Sequence, residues 1–289
     1  MTARAVIAIS SHVARGTVGL RAIVPTLEGL GRPVWSVPTL SLPWHPGHAF
    51  RRGETARVVP EPEVFARFLD DLAEAPWLSE VGAVLTGYMA TPAHVEAAAA
   101  LVARVRERVP DALYVCDPVM GDAPPGEAGG LYVPGALAEA IRDRLLPLAD
   151  VATPNRFELR WLTGRDAPFE TAGEVAAAAR NLGPRRTLVT SAPAAMRGAL
   201  GNVLAGERVW MAEHRALPHA PNGTGDLTAA LLTHHLLTGA SEREALETTA
   251  AATFEAVARS QGSDELRLEG AAGAMQPRAP VSMREMIGS

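Results

Sequence analysis

Residues 81–117 read VGAVLTGYMATPAHVEAAAALVARVRERVPDALYVCD. Val81–Thr86 is a short apolar β-rich run, Pro92–Val109 is Ala-rich with helical period, and Leu113–Asp117 returns to a β-rich run. Strand, helix, strand at this spacing is a βαβ unit, which demands parallel strands joined by a crossover helix. The same alternation extends in both directions. Strands are expected at Ala5–Ser10 and Val34–Thr39 upstream, and at Asp150–Thr153 and Thr187–Ser191 downstream. Helices are expected at Val18–Leu30, Glu61–Ala75, Pro134–Leu146, Arg156–Thr163 and Ala172–Leu182. The period then changes: Leu200–Leu204 and Arg208–Ala212, split by Ala205-Gly206-Glu207, read as a hairpin on the edge of the sheet, followed by helices Asp226–Thr238 and Glu242–Arg259. The expectation is an α/β fold: a central, mostly parallel sheet with helices on both faces and a small edge hairpin. No repeat or linker divides the first 260 residues, so 1–260 reads as one domain. The Gly/Ala/Pro-rich stretch Ser260–Pro280 has weak periodicity, and 261–289 reads as a surface tail free to move.

Composition excludes several functions. All 27 basic residues are arginine, so a lysine Schiff base, a Gly-Lys-Ser/Thr phosphate loop and a kinase-type strand lysine are ruled out. Compositional bias is a sufficient cause for the missing lysine. A net charge of −5 with scattered arginines gives no basic stripe for nucleic acid. No apolar run approaches the ~18 residues of a membrane span, and the N-terminus enters a strand-like AVIAIS directly, so the reading is a soluble, cytoplasmic protein with no membrane partner. The one cysteine, Cys116, has no internal disulfide partner and reads as a small buried apolar residue.

Three motifs carry chemistry. Asn222-Gly223-Thr224-Gly225-Asp226 opens an apolar helix. Two glycines at a helix start allow close backbone approach and present N–H groups at the positive end of the dipole, which is an anion site. An acid in that first turn serves either as a cap-like residue or as a base toward an attacking hydroxyl. Thr153-Pro154-Asn155-Arg156-Phe157-Glu158 follows a strand end, where open α/β sheets bind ligands; Asn155 and Glu158 suit a nucleotide and its metal, although Glu158 equally suits helix-start capping. Asp117-Pro118-Val119-Met120-Gly121-Asp122 ends another strand, with carboxylates of the kind Mg²⁺ takes, and leads into a Gly/Pro-rich stretch, Ala123–Tyr132, with the composition of a closing lid or of a solvated connection.

Taken in order, Ser11-His12-Val13 with Gly16 and Val18-Gly19, Thr86-Gly87-Tyr88, Asp117–Asp122, TPNRFE, Thr190-Ser191 and GTGD resemble a pyridoxal kinase of the ribokinase-like superfamily, from about Ala5 to Arg259. The resemblance implies a ribokinase-like fold and transfer of the ATP γ-phosphate to the 5′-hydroxymethyl of pyridoxal, with pyridoxine and pyridoxamine as further acceptors. It implies Asp226 as base, with Gly223, Thr224 and Gly225 supplying the anion hole. Ser11, Val18, His45, Pro46 and Tyr88 would line the vitamin pocket. Asp117, Tyr132, Thr153, Asn155, Thr190, Ser191 and Thr224 would address ATP, and Glu158, Asp122 and Asp117 the Mg²⁺. A monovalent cation and a homodimer are also usual in the family.

The chain departs from the family at Leu20, where Asn is usual, and at Trp44-His45-Pro46, where Asn-His-Thr is usual, so pocket polarity and vitamer preference turn on these positions. Two other readings compete: a hydroxymethylpyrimidine kinase, and a homologue that binds vitamer or nucleotide but has lost catalysis. The Ser-His-Val entry argues against the first, and Asp226 with its glycines, Asn155 and Glu158 against the second. His45-x-x-His48 has metal-like spacing without a partner cluster, His234-His235 suit packing and a polar edge, and Trp77, Trp161 and Trp210 read as packing residues.

Overall fold

In the computed structural model, which describes residues 3–47, 56–123, 129–268 and 279–286, the chain begins with β1 (Ala5–Arg15), α1 (Leu20–Gly29) and β2 (Val34–Trp44). There follow α2 (Pro62–Ala73), β3 (Val81–Thr86), α3 (Pro92–Arg108) and β4 (Leu113–Cys116). A two-stranded ribbon, β5 (Gly121–Asp122) and β6 (Gly130–Leu131), precedes α4 (Gly135–Ala140), β7 (Val151–Ala152), α5 (Arg156–Leu162) and α6 (Ala172–Arg180). The remainder is β8 (Arg186–Ala192), β9 (Ala199–Ala205), β10 (Val209–Arg215), α7 (Thr224–Leu237), α8 (Glu242–Arg259) and β11 (Ser282–Glu285).

Nine strands form one sheet in the order β11-β10-β9-β8-β7-β4-β3-β1-β2. The six from β8 to β2 are parallel and the last three antiparallel. Parallel pairing with burial on both faces explains why β1 and β3 are near-continuous apolar runs. On one face Phe65, Leu69, Val95, Leu101 and Leu137 of α2, α3 and α4 pack on the sheet. On the other, Leu20, Ile23, Leu27, Ala229, Leu232 and Leu246 of α1, α7 and α8 do so. Local capping fixes where several helices start: Asn155 with Glu158, Thr171 with Glu174, and Ser241 with Glu244 each form a reciprocal capping box.

The structure departs from expectation in four places. β1 and β2 outrun Ser10 and Thr39 because their pairing resumes after a bulge between Ser10 and His12, continuing to Arg15 and Trp44. The helix expected over Pro134–Leu146 is α-helical only to Ala140, then widens into a π turn at Ile141–Leu145 and tightens into a 3₁₀ turn at Leu146–Leu148; Pro147 has no N–H to continue the ladder and its ring crowds the preceding turn. Trp77 is 61% exposed rather than packed, since Leu78 takes the buried position beside it. Trp161 and Trp210 do pack against the core, under Arg142 and Arg243 respectively. Finally, the segment read as a free tail returns to the sheet: Ser282–Glu285 pairs antiparallel with β10, Val281 and Met283 pack on the core, and the hairpin β9–β10 therefore lies one strand in from the edge. No described helix is long and apolar enough to cross a membrane.

Candidate active site

The parallel strands all point their carboxyl ends at one rim of the sheet, and the sequence motifs meet there. Asp226 lies in the first turn of α7, whose N-cap Gly223 sits in the left-handed region at φ 97° and offers no side-chain cap. The first N–H groups of α7 therefore have no capping side chain, as an anion site requires. Gly223 is obligatory by packing as well as by φ: a Cβ there would lie 1.8 Å from the Thr17 carbonyl oxygen. Gly19 is the reciprocal case at φ 57°, pressed against Ser11, and its N–H donates to Asp226 Oδ2 at 2.9 Å. The two glycines thus clamp the β1–α1 loop onto the start of α7. Burial raises the Asp226 carboxyl to about 6, against the lowering effect of the Gly19 and Asp226 N–H groups.

Two more carboxylates crowd the rim. Asp117, buried just beyond β4, accepts the Thr153 hydroxyl at 2.8 Å. Burial and then the Asp226 charge raise it to about 8, with Thr153 opposing. Glu158 is 3% exposed and is pushed well above the usual carboxylate range by burial and by Asp117. Its oxygens accept N–H groups from Met120 (3.0 Å), Gly121 (3.4 Å) and Asn155 (2.8 Å), while Asn155 Oδ1 accepts the Glu158 N–H and Asn155 Nδ2 donates to the Gly121 carbonyl. Of the two sequence readings of Glu158, the geometry displays the capping one at the start of α5, and it also buries the carboxylate near Asp117. Asp122 differs. It is exposed on the β5–β6 ribbon, its Oδ1 accepting the Ala123 N–H.

No group of three or more His, Cys, Asp or Glu side chains among the described residues converges to hold a metal ion. Asp117 and Glu158 are nevertheless both buried acids, Asp117 disfavouring the charge of Glu158 and Asp226 that of Asp117, which is the environment a divalent cation relieves. Mg²⁺ needs only one or two protein carboxylates beside water and phosphate oxygens.

The remaining expected residues divide. Ser11 and Val18 flank the Gly19 clamp, and Leu20, the first departure from the family pattern, points into the core rather than the pocket. His45 reaches the α7 entry: its Nδ1 accepts the Gly47 N–H at 3.1 Å and lies 3.2 Å from Asn222 Nδ2. Pro46 is exposed, and His48 lies outside the described residues. The Tyr88 N–H donates to Ser10 Oγ and its carbonyl accepts from Thr39 Oγ1; burial raises its phenol. Of the expected lid, 124–128 lie outside the described residues. Tyr132 is 55% exposed, yet its phenol is raised by burial and by the carboxylates of Glu158, Asp117, Asp226 and Asp122.

Thr190 and Ser191 sit where β8 bulges against β9, Ser191 at a positive φ of 58°, a strained geometry that re-aims the strand end. With Thr224 and Gly225 they line a partly open cavity whose walls come from β9, β10 and α8, including Leu200, Asn202, His214 and Phe254. These wall residues were not singled out in the sequence; an apolar spacing along α8 was visible, but nothing in it distinguishes a cavity wall from core. Cys116 is buried and its thiol pushed up to about 12 by burial, as suits a small packing residue.

Known proteins resemble the chain along nearly its whole length. A family model described as phosphomethylpyrimidine kinase matches residues 59–271. Pyridoxal kinase PdxY of Corynebacterium diphtheriae is 34% identical over 91% of this chain and 92% of its own length, and that of Rubrobacter xylanophilus 38% identical over 91% and 90%. The solved pyridoxal kinase from Leishmania donovani, in complex with ADP and ginkgotoxin, superposes with a TM-score of 0.86 at 28% identity, covering 98% of this chain and 99% of that one. The ribokinase-like fold, the motif order and these relatives agree: the chain belongs to the pyridoxal kinase family.

Proposed function

We propose that the protein transfers the γ-phosphoryl group of ATP to the 5′-hydroxymethyl of pyridoxal, giving pyridoxal 5′-phosphate, with pyridoxine and pyridoxamine as further acceptors. The observation that carries this reading is Asp226 itself, fixed by the Gly19 N–H at the uncapped start of α7, with a carboxyl raised to about 6. A base with that affinity is ionised at neutral pH yet still basic enough to take a proton from an alcohol as its oxygen attacks. The N–H groups of Gly223, Thr224 and Gly225 stabilise charge on the group in transfer. Ser11, Val18, His45 and Tyr88 hold the vitamer ring; Thr190, Ser191 and Thr224 hold the nucleotide in the cavity they line. Asp117 and Glu158 would hold Mg²⁺, and the ion would supply charge neutralisation of the phosphates. Glu158, locked by three backbone N–H groups, keeps Met120, Gly121 and Asn155 in register beneath it. Tyr132 and the ribbon beneath it serve a closing segment that excludes water. The homodimer belongs to the same proposal and is read by sedimentation equilibrium.

A second reading, phosphorylation of hydroxymethylpyrimidine, is favoured by the description of the matching family model. Steady-state turnover with ATP on pyridoxal, pyridoxine, pyridoxamine and hydroxymethylpyrimidine separates the two. Pyridoxal is expected to give the highest kcat/KM; a pyrimidine preference overturns the first reading, and no turnover on any acceptor overturns both.

A further inference from the structure

The cavity at the end of β8 exposes mainly apolar surface, so the polar side chains placed along its walls decide what it takes. Two lie on the hairpin as diagonal neighbours, Asn202 on β9 and His214 on β10, 3.3 Å apart between Asn202 Nδ2 and His214 Nε2. Their hydrogen-bond polarity follows from one contact. His214 Nδ1 lies 3.1 Å from the Arg215 carbonyl oxygen, which only accepts, so Nδ1 carries the proton. Nε2 of the neutral ring is then an acceptor, and burial, which lowers the His214 pKa, keeps the ring neutral. Asn202 must therefore turn its amide nitrogen toward His214, and its Oδ1 is left as an acceptor. The Phe254 ring, 5.2 Å from the His214 ring, braces the pair from α8. An independent observation marks the same cavity as incomplete by itself: Thr249 of α8, 1% exposed and among its lining residues, has a buried hydroxyl with no hydrogen-bond partner. An orphaned buried hydroxyl is a standing cost to the fold until a partner arrives.

We propose that Asn202, oriented by His214, is the nucleobase selector of this cavity, its Oδ1 accepting from the exocyclic amine of adenine and repelling the oxo group that guanine presents instead. The proposal rests on the nucleotide-dependent kinase reading above and adds to it which residues choose the base. Adenine offers an amine donor at the position where guanine carries an oxygen acceptor. An acceptor locked in place rejects the oxygen; an amide free to rotate would present its own N–H₂ and accommodate either base. Asn202 is thus the selecting residue and His214 a positioning residue that acts through it.

The test measures kcat and KM with ATP and with GTP for the wild type, Asn202→Leu and His214→Phe, and in parallel titrates each protein with ADP and GDP in the absence of acceptor. The wild type is expected to favour ATP over GTP in kcat/KM by about tenfold or more, the discrimination a positioned buried hydrogen bond supplies. Asn202→Leu should raise KM for ATP more than it lowers kcat and bring the ratio toward one. His214→Phe, which keeps the ring packing on Phe254 but frees the amide, should relax the ratio mainly by improving GTP, an outcome that simple loss of structure does not produce. Unchanged ATP:GTP and ADP:GDP ratios in both variants overturn the proposal. Absence of turnover with every nucleotide and acceptor counts against the kinase reading instead, and the ADP and GDP titrations still decide the selector.

Discussion

The two ends of α7 carry opposite charges and opposite kinds of partnership. At its C-terminal end the buried Arg32 donates Nε to His234 Nδ1 at 3.1 Å, Nη1 to the Arg4 carbonyl and Nη2 to the His234 carbonyl. Burial lowers the Arg32 pKa, and burial followed by the Arg32 charge lowers His234 to about 4. A cation against the negative end of the dipole, its donors taken up by this chain, is a structural device. At the N-terminal end an acid sits beside the positive end, no side chain caps the helix, and two glycines hold a loop against it. The same dipole rule satisfies both ends electrostatically. What differs is whether the polar groups are consumed by the fold or left for a ligand, and that difference separates a site from a brace.

Breaking the N-terminal end should have the largest consequence. Asp226→Asn keeps size and loses the base, so turnover should fall by about 10²–10⁴ with nucleotide binding retained, read by steady-state kinetics beside ADP titration. The wild-type pH profile sharpens the same point. In its proposed role as base Asp226 has to be ionised, so kcat/KM should decline about tenfold per pH unit as pH drops below the carboxyl's value of about 6, leaving roughly a hundredth of the activity near pH 4 if folding persists there by circular dichroism. Gly223→Ala forces a Cβ against the Thr17 carbonyl at a positive φ, and should cost about 1–3 kcal/mol in denaturant unfolding and at least tenfold in kcat/KM. At the other end, Arg32→Met should lower stability by about 1–3 kcal/mol and let the His234 pKa rise in an NMR titration, while kcat stays within about twofold. An effect of Arg32→Met on kcat as large as that of Gly223→Ala would erase the contrast.

The smallest effect has the opposite sign. A folded-state carboxyl raised above its unfolded value binds its proton more tightly in the fold, so ionising Asp226 costs stability as pH rises from about 4 through about 6, and the cost is complete above that. Asp226→Asn removes it. That variant should be more stable than wild type by on the order of 1 kcal/mol at pH 7.5 and no more stable at pH 3.5, measured by thermal unfolding.

The sequence made the parallel part of the sheet legible because burial on both faces leaves unbroken apolar runs, as in Val81–Thr86. It was less informative where pairing rather than burial sets the boundary. β1 continues through Ser11 and His12, polar residues that look like the end of a strand, because β2 runs alongside them. β11 was missed because its alternation spans only Val281–Met286 and follows a Gly/Ala/Pro-rich stretch. Asp226, Asn155 and Glu158 were legible as local motifs, each tied to a helix start. Gly19's N–H bond to Asp226 was not, since 207 positions separate the partners. The cavity walls were illegible for a different reason: Asn202, His214 and Phe254 lie on three elements, and only the fold brings them together.

The returning strand β11 divides the protein's properties in a practical way. A chain stopped between residues 268 and 279 keeps every residue assigned to the acceptor, the nucleotide or the metal, and loses the strand that covers β10 together with the packing of Val281 and Met283. That strand would then present its unpaired N–H and C=O groups to solvent and to other chains. Such a truncation should be judged by light scattering before it is judged by turnover, because its failure is one of solubility and shelf life, with the chemistry intact in whatever fraction stays dispersed.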